Sequence, residues 1–182
     1  EYFPNWAEDV FTKGLLDSEE YSIKIPIFPQ GFNVVFAGNI GESQDFESII
    51  NAAELTKNEG VNWIFVGDGR KLDWVKSEIA SRNISNIITL GRFPIESMPL
   101  FFEKADVMLV SLKNEEAFAL TVPAKIQAYM ASSKIIVGML NGEGQSLIND
   151  SNCGFAVNAE DSKGLRDIVL KIKSFDKDVI SK

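Results

Sequence analysis

From Phe32 onward two patterns alternate along the chain: short unbroken apolar runs, and longer stretches in which apolar residues return every three or four positions. The runs at 32–37, 62–66, 86–90, 106–112, 134–140 and 155–157 have the length and the branched or aromatic content of strands. Between them, Phe46, Ile49, Ile50 and Ala53 fall on one helical face. Trp74, Val75 and Ile79 do the same behind Asp73, a residue able to cap a helix. A short helix is expected over 97–105. Val122, Ile126, Tyr129 and Met130 mark a central helix within 120–133, another follows over 143–149, and Leu165, Ile168, Val169 and Ile172 mark the last. Several strands are apolar throughout, the pattern of strands buried on both faces. Together these elements predict an α/β, Rossmann-like, doubly wound fold: a mainly parallel six-stranded sheet with helices on both faces and right-handed crossovers. Residues 1–31 carry no sustained periodicity. Apart from a short helix expected over 8–16, they read as a leader or interdomain connection, broken by Pro26 and Pro29, before a domain spanning 32–182.

One edge of this sheet collects the candidate chemistry. Gly38, Gly67 and Gly91 each end a predicted strand, and glycine there permits a tight turn or a close approach to the backbone. For any one turn, ordinary turn chemistry explains the glycine; several on the same edge point to a binding rim. The central helix starts on that rim. Thr121 is able to cap it, Pro123 suits its first turn, and Lys125 adds a positive charge where the helix dipole already favours an anion. A phosphate group is the expected guest. Glu143, between Gly142 and Gly144 after the fifth strand, and the pair Glu115-Glu116 after the fourth are candidates for sugar hydroxyls, although loop carboxylates are more often simply solvated.

Composition narrows the chemistry. The formal charge of −8 over 182 residues argues against a general nucleic-acid binder. No apolar run approaches the roughly 20 residues of a membrane span. Histidine is absent, which removes the Ser-His-Asp triad and most zinc sites, and the lone Cys153 excludes a disulfide framework. Gly38-Asn39-Ile40-Gly41 lacks dinucleotide spacing. Gly67-Asp68-Gly69 has Leu72 in place of the third glycine, and there is no P-loop.

The segments Phe36-Ala37-Gly38-Asn39-Ile40-Gly41, Val66-Gly67-Asp68-Gly69, Leu90-Gly91-Arg92-Phe93-Pro94, Ala105-Asp106-Val107 and Val122-Pro123-Ala124-Lys125-Ile126-Gln127-Ala128-Tyr129-Met130-Ala131 follow one another in a recognisable order. In that order they resemble the C-terminal, nucleotide-sugar-binding half of retaining GT-B glycosyltransferases, glycosyltransferase family 4. The likeness is to bacterial enzymes that build O-antigen or capsule units. Tyr2-Phe3-Pro4-Asn5-Trp6 is similar to the end of their N-terminal half. The resemblance implies a donor site in which Gly38, Asn39 and Gly41 face the diphosphate, and Gly91, Arg92 and Phe93 border the nucleobase. Thr121 and Lys125 would receive phosphate, Glu143 would approach the ribose or sugar, and Gly69 and Gln127 complete the set. Lys125 takes the catalytic part, stabilising the departing diphosphate.

Against the broad family pattern, Asn39 and Gln44 stand where an arginine and a lysine are usual, and Leu120 and Ala128 where paired glutamates are usual. Pro123, Lys125, Tyr129 and Met130 match a variant pattern instead. The resemblance further implies a UDP-sugar donor and no metal or other cofactor. It implies a lipid-linked glycan acceptor held through a missing N-terminal half, work at the cytoplasmic face of the membrane, and no transferase activity for this chain alone. Two rivals are a nucleotide-sugar epimerase of GT-B fold, separable by acceptor-dependent nucleotide release, and a regulatory α/β binding module with no sugar-nucleotide affinity.

Overall fold

The computed structural model describes residues 24–175. The helix expected over 8–16, the segment Tyr2 to Trp6 and the chain past 175 lie outside the described residues. Six strands form one parallel sheet: β1 (Phe32–Ala37), β2 (Val61–Val66), β3 (Ile87–Gly91), β4 (Val107–Ser111), β5 (Ile136–Met139) and β6 (Gly154–Val157), in the spatial order β3-β2-β1-β4-β5-β6. Chain order reverses between β1 and β4, which is the switch point at which open α/β sheets take their ligands. The helices are α1 (Phe46–Leu55), α2 (Leu72–Ser81), α3 (Met98–Lys104), α4 (Glu116–Ala119), α5 (Ala124–Ala131), α6 (Glu143–Asp150) and α7 (Ser162–Lys173).

Every residue of β1 and β4 is buried, as unbroken apolar runs require of central strands. Alternate side chains feed two cores. Phe36, Trp63, Phe65, Val107 and Leu109 meet α1, α2 and α7 on one face; Val35, Ile64, Met108 and Val110 meet α3, α5 and α6 on the other. On the first face Phe36, Phe46 and Phe65 pack edge to face, with centroids 5.0–6.4 Å apart, tying α1 to β1 and β2. Ahead of the domain, Ile25 and Phe28 pack against the second core without forming a helix or strand.

Helix starts depart from expectation. Asp73 does not cap α2: Lys71 occupies the cap position, no side chain closes it, and Asp73 lies in the first turn. Pro123 occupies the cap position of α5, which is shorter than its apolar spacing suggested. Thr121 instead turns its hydroxyl back to the Phe118 carbonyl, 3.0 Å away, closing the one-turn α4. The expected start of the third strand, Asn86, is a buried side-chain hub, donating to the Ala53 and Val61 carbonyls at 2.9 and 3.2 Å.

The sheet forks at its switch point. β1 pairs with β2 as far as Ala37 opposite Val66, but with β4 only as far as Val35 opposite Met108. β4 and β5 continue together to Ser111 and Met139. The carboxyl ends of β1 and β4 therefore separate, and that gap organises the site.

Candidate functional site

Lys125 enters the fork from α5. Its ammonium stands 3.8 Å from the centroid of the Phe36 ring, on the opposite face of the sheet from the core α5 packs against. The route passes directly over Gly38. A β-carbon at Gly38 would lie 2.7 Å from Lys125 Cε and 3.1 Å from Nζ, and the φ of +135° at Gly38 already disfavours any other residue. The glycine ending β1 thus makes room for a lysine of the same chain. Although Lys125 as a whole is only half-buried, its ammonium end is enclosed, and burial lowers its pKa from 10.5 to about 7. Among the described residues no carboxylate pairs with it and no acceptor receives its protons, and its ammonium lies over the Phe36 π-face. Burial without a counter-ion is what holds this pKa down, and an anion beside the ammonium would raise it again.

Beside it, at the carboxyl ends of β1, β2 and β3, lies a cavity of about 350 Å³ lined by Gly38, Asn39, Val66, Gly67, Asp68, Arg92, Phe93 and Met98. Gly38 is the shared wall: it lines the cavity and touches Lys125, which itself does not line it. In the turn after β1, Gly38 donates to Val66, Ile40 to Asp68 and Gly41 to Gln44 Oε1, leaving the Asn39 amide without a partner among the described residues. Arg92 is exposed and carries no ion pair among the described residues. Phe93 is half-buried with its ring edge-on to Phe101, centroids 4.7 Å apart. Asn39, Arg92 and Phe93 therefore line a single space.

The structure brings some of the expected residues together and leaves others apart. Gly38, Asn39, Arg92 and Phe93 come together around the cavity, and Gly91 ends the strand beside it. Gly41 and Gly69 do not line it. The Asn39 side chain lies back over both, so a β-carbon at either would meet it, at 2.4 Å for Gly41 and 2.7 Å for Gly69; these glycines serve loop packing. The Gln127 amide turns onto its own helix, donating to the Pro123 and Ala124 carbonyls at 3.1 Å each. Thr121 is exposed and engaged with Phe118, and Glu143 is the exposed first residue of α6; neither lines the cavity. Asp68 and Met98, which do, were missed. The Tyr129 hydroxyl bonds the Ala37 backbone, a contact the sequence signalled only through the place of Tyr129 in the variant pattern with Pro123, Lys125 and Met130.

Residues 31–174 match the family model described as glycosyl transferases group 1. The Pseudomonas aeruginosa protein named Probable glycosyltransferase WbjE is 30% identical over 179 residues, covering 96% of this chain and 44% of its own. WcaI of Escherichia coli K12, named for glycosyl transfer in colanic acid biosynthesis, is 27% identical over 135 residues, covering 71% of this chain and 32% of its own. The chain thus spans less than half the length of these curated relatives. Among solved structures, Anabaena Alr3699/HepE in complex with UDP-glucose superposes with a TM-score of 0.65 at 18% identity, over 96% of this chain and 48% of that one. The six-stranded parallel sheet with helices on both faces is thereby the Rossmann-like sheet of a GT-B fold.

Proposed function

The chain belongs to the glycosyl transferases group 1 family, and from that membership we propose that it is the nucleotide-sugar-binding domain of a retaining glycosyltransferase. The donor is a UDP-sugar, and the sugar passes to a glycan intermediate of a surface polysaccharide, O-antigen or capsule, carried on lipid. One observation carries this reading. A lysine without a counter-ion is threaded through the fork of the sheet, against the Gly38 wall of a cavity that Asn39, Arg92 and Phe93 also line. A nucleoside diphosphate sugar supplies the missing anion, and its base and sugar need the kind of mixed aromatic and polar space that Phe93, Arg92 and Asn39 border. The HepE complex with UDP-glucose supports the donor class, and the naming of WcaI for colanic acid supports the polysaccharide.

In this reading the chain, which covers 44% and 32% of its relatives and 48% of HepE, serves as the donor-binding part of a longer enzyme, with 32–182 as the donor domain and 1–31 as the connection to the other half. That other half holds the acceptor, and the enzyme works at the cytoplasmic face of the membrane. No helix among the described residues is long and apolar enough to cross a membrane.

In this reading Lys125 does the electrostatic work. As the bond to the sugar breaks, charge builds on the leaving diphosphate, and an ammonium already stripped of water stabilises it without reorganisation. No metal or other cofactor is required for that step. Calorimetric titration of the chain with UDP-glucose tests the proposal. Binding should survive a chelator and weaken at least about tenfold in Lys125→Met, the scale of one charge-assisted contact. Unchanged affinity in Lys125→Met would overturn it.

A further inference from the structure

Where β4 leaves β1, a side chain takes its place. The Ala37 N–H donates to the Tyr129 hydroxyl at 3.3 Å, and that hydroxyl donates to the Ala37 carbonyl at 3.1 Å. The neighbouring Gly38 amide points the other way, to Val66 of β2, so both Ala37 groups face the side from which β4 has withdrawn. A single phenol thus satisfies the donor and the acceptor that the next rung of the ladder would have satisfied. Tyr129 is almost wholly buried and lies edge-on to Phe102, with centroids 5.3 Å apart. Burial also raises its pKa, so the phenol stays protonated and able to do both.

Tyr129 stands one helical turn after Lys125, so both side chains leave the same face of α5. One ends on Ala37, the other passes over Gly38. We propose that Tyr129 is a positioning residue: by standing in for β4 at Ala37, its hydroxyl holds the fork at the width that lets Lys125 cross Gly38 to the Phe36 ring. The tolerance is small, because an ideal β-carbon at Gly38 would sit only 2.7 Å from Lys125 Cε. A phenylalanine would fill the same volume, yet leave two buried main-chain groups to recover partners by closing the fork or admitting water. Either response moves Gly38 against α5 and the ammonium off the ring. The effect on donor binding rests on the function proposed above; the placement of Lys125 is measurable without it.

The ring current of Phe36 provides that measurement. The ε-methylene resonance of Lys125, assigned by its loss in Lys125→Met, should lie upfield of lysines remote from any ring. In Tyr129→Phe it should return toward their position, and UDP-glucose affinity should fall about tenfold, the worth of one strong hydrogen bond. Trp63→Phe is the control. It removes the bond from Trp63 Nε1 to Thr56, 2.9 Å, in the core that also holds Phe36, and should lower stability while leaving the Lys125 resonance and the affinity in place. A Tyr129→Phe chain that keeps the upfield resonance overturns the proposal. If the unaltered chain shows no affinity for UDP-glucose while Tyr129→Phe still shifts Lys125, the donor reading falls and the positioning role stands. Should Tyr129→Phe not fold, the chain labelled with 3-fluorotyrosine answers instead: the fluorine resonance of Tyr129 is expected to move when Lys125→Met is introduced, and an unmoved resonance overturns the proposal.

Discussion

Lys125 departs from the usual lysine, whose pKa rises on gaining a partner. It titrates near 7 in the fold and near 10.5 when unfolded, because burial opposes its charge and no carboxylate offsets the cost. Between those values the unfolded chain holds more protons than the folded one, so stability from this group increases with pH across that window. Below pH 7 the full penalty is present. Lys125→Met, which keeps the length and removes the charge, should therefore raise Tm at pH 6 by at least about 3 °C, since 1 kcal/mol corresponds to roughly 2–4 °C in a chain of this size. By pH 10 the gain should have largely vanished. Thermal melts at both values check this, and an equal gain at both would refute it. Anion binding has the opposite linkage. UDP-glucose, whose diphosphate does not titrate in this range, should draw a proton onto Lys125 when it binds near pH 8. Calorimetry in buffers of different ionisation heat would read that uptake. The sequence pointed to Lys125 through a helix start capped by Thr121, whereas the hydroxyl of Thr121 closes the preceding turn. Capping and turn closure use the same short side chain, and only the path of 119–123 decides between them.

At the scale of elements, the apolar runs were sufficient to read six parallel strands, because a strand buried on both faces has little freedom to be anything else. The loops were less legible. Glycines at strand ends read equally well as openings for a ligand or for another stretch of chain, and here the second use dominates. A β-carbon at Gly67 would fall 1.8 Å from the Gly38 carbonyl oxygen, so the turns after β1 and β2 are in backbone contact. Gly91, also at positive φ (+78°), has nothing within 4 Å of where its β-carbon would be. The two should separate cleanly. Gly91→Ala should cost only the conformational strain, about 1–2 kcal/mol. Gly67→Ala adds a main-chain collision and should exceed roughly 3 kcal/mol or fail to fold. Urea midpoints of the two variants measure the difference, and equal losses would show that the contact between the turns is dispensable.

For the whole molecule, charge and site pull in opposite directions. A chain of net charge −8 repels an anionic donor at long range, so affinity has to come from contacts inside a Debye length: the enclosed Lys125, the free Asn39 amide and the exposed Arg92. Salt should reveal the split. Added salt screens the exposed guanidinium and the distant carboxylates, but reaches an enclosed ammonium much less. The contribution lost in Lys125→Met should accordingly persist between 0.05 and 0.5 M salt, whereas that lost in Arg92→Ala should shrink. Catalysis asks for more than this domain holds. An ammonium against the diphosphate assists departure of the leaving group, but among the described residues nothing around the cavity presents an acceptor hydroxyl to the sugar. The chain alone should therefore bind UDP-glucose and release no UDP. The full-length enzyme should release UDP only when a glycan acceptor is present, the dependence that separates a transferase from an epimerase. In that setting Lys125→Met should lower kcat by about 10²–10³, the loss typical of removing one preorganised transition-state contact. Loss of affinity with kcat intact would make Lys125 a binding residue alone and move the work of charge stabilisation to the other half of the enzyme.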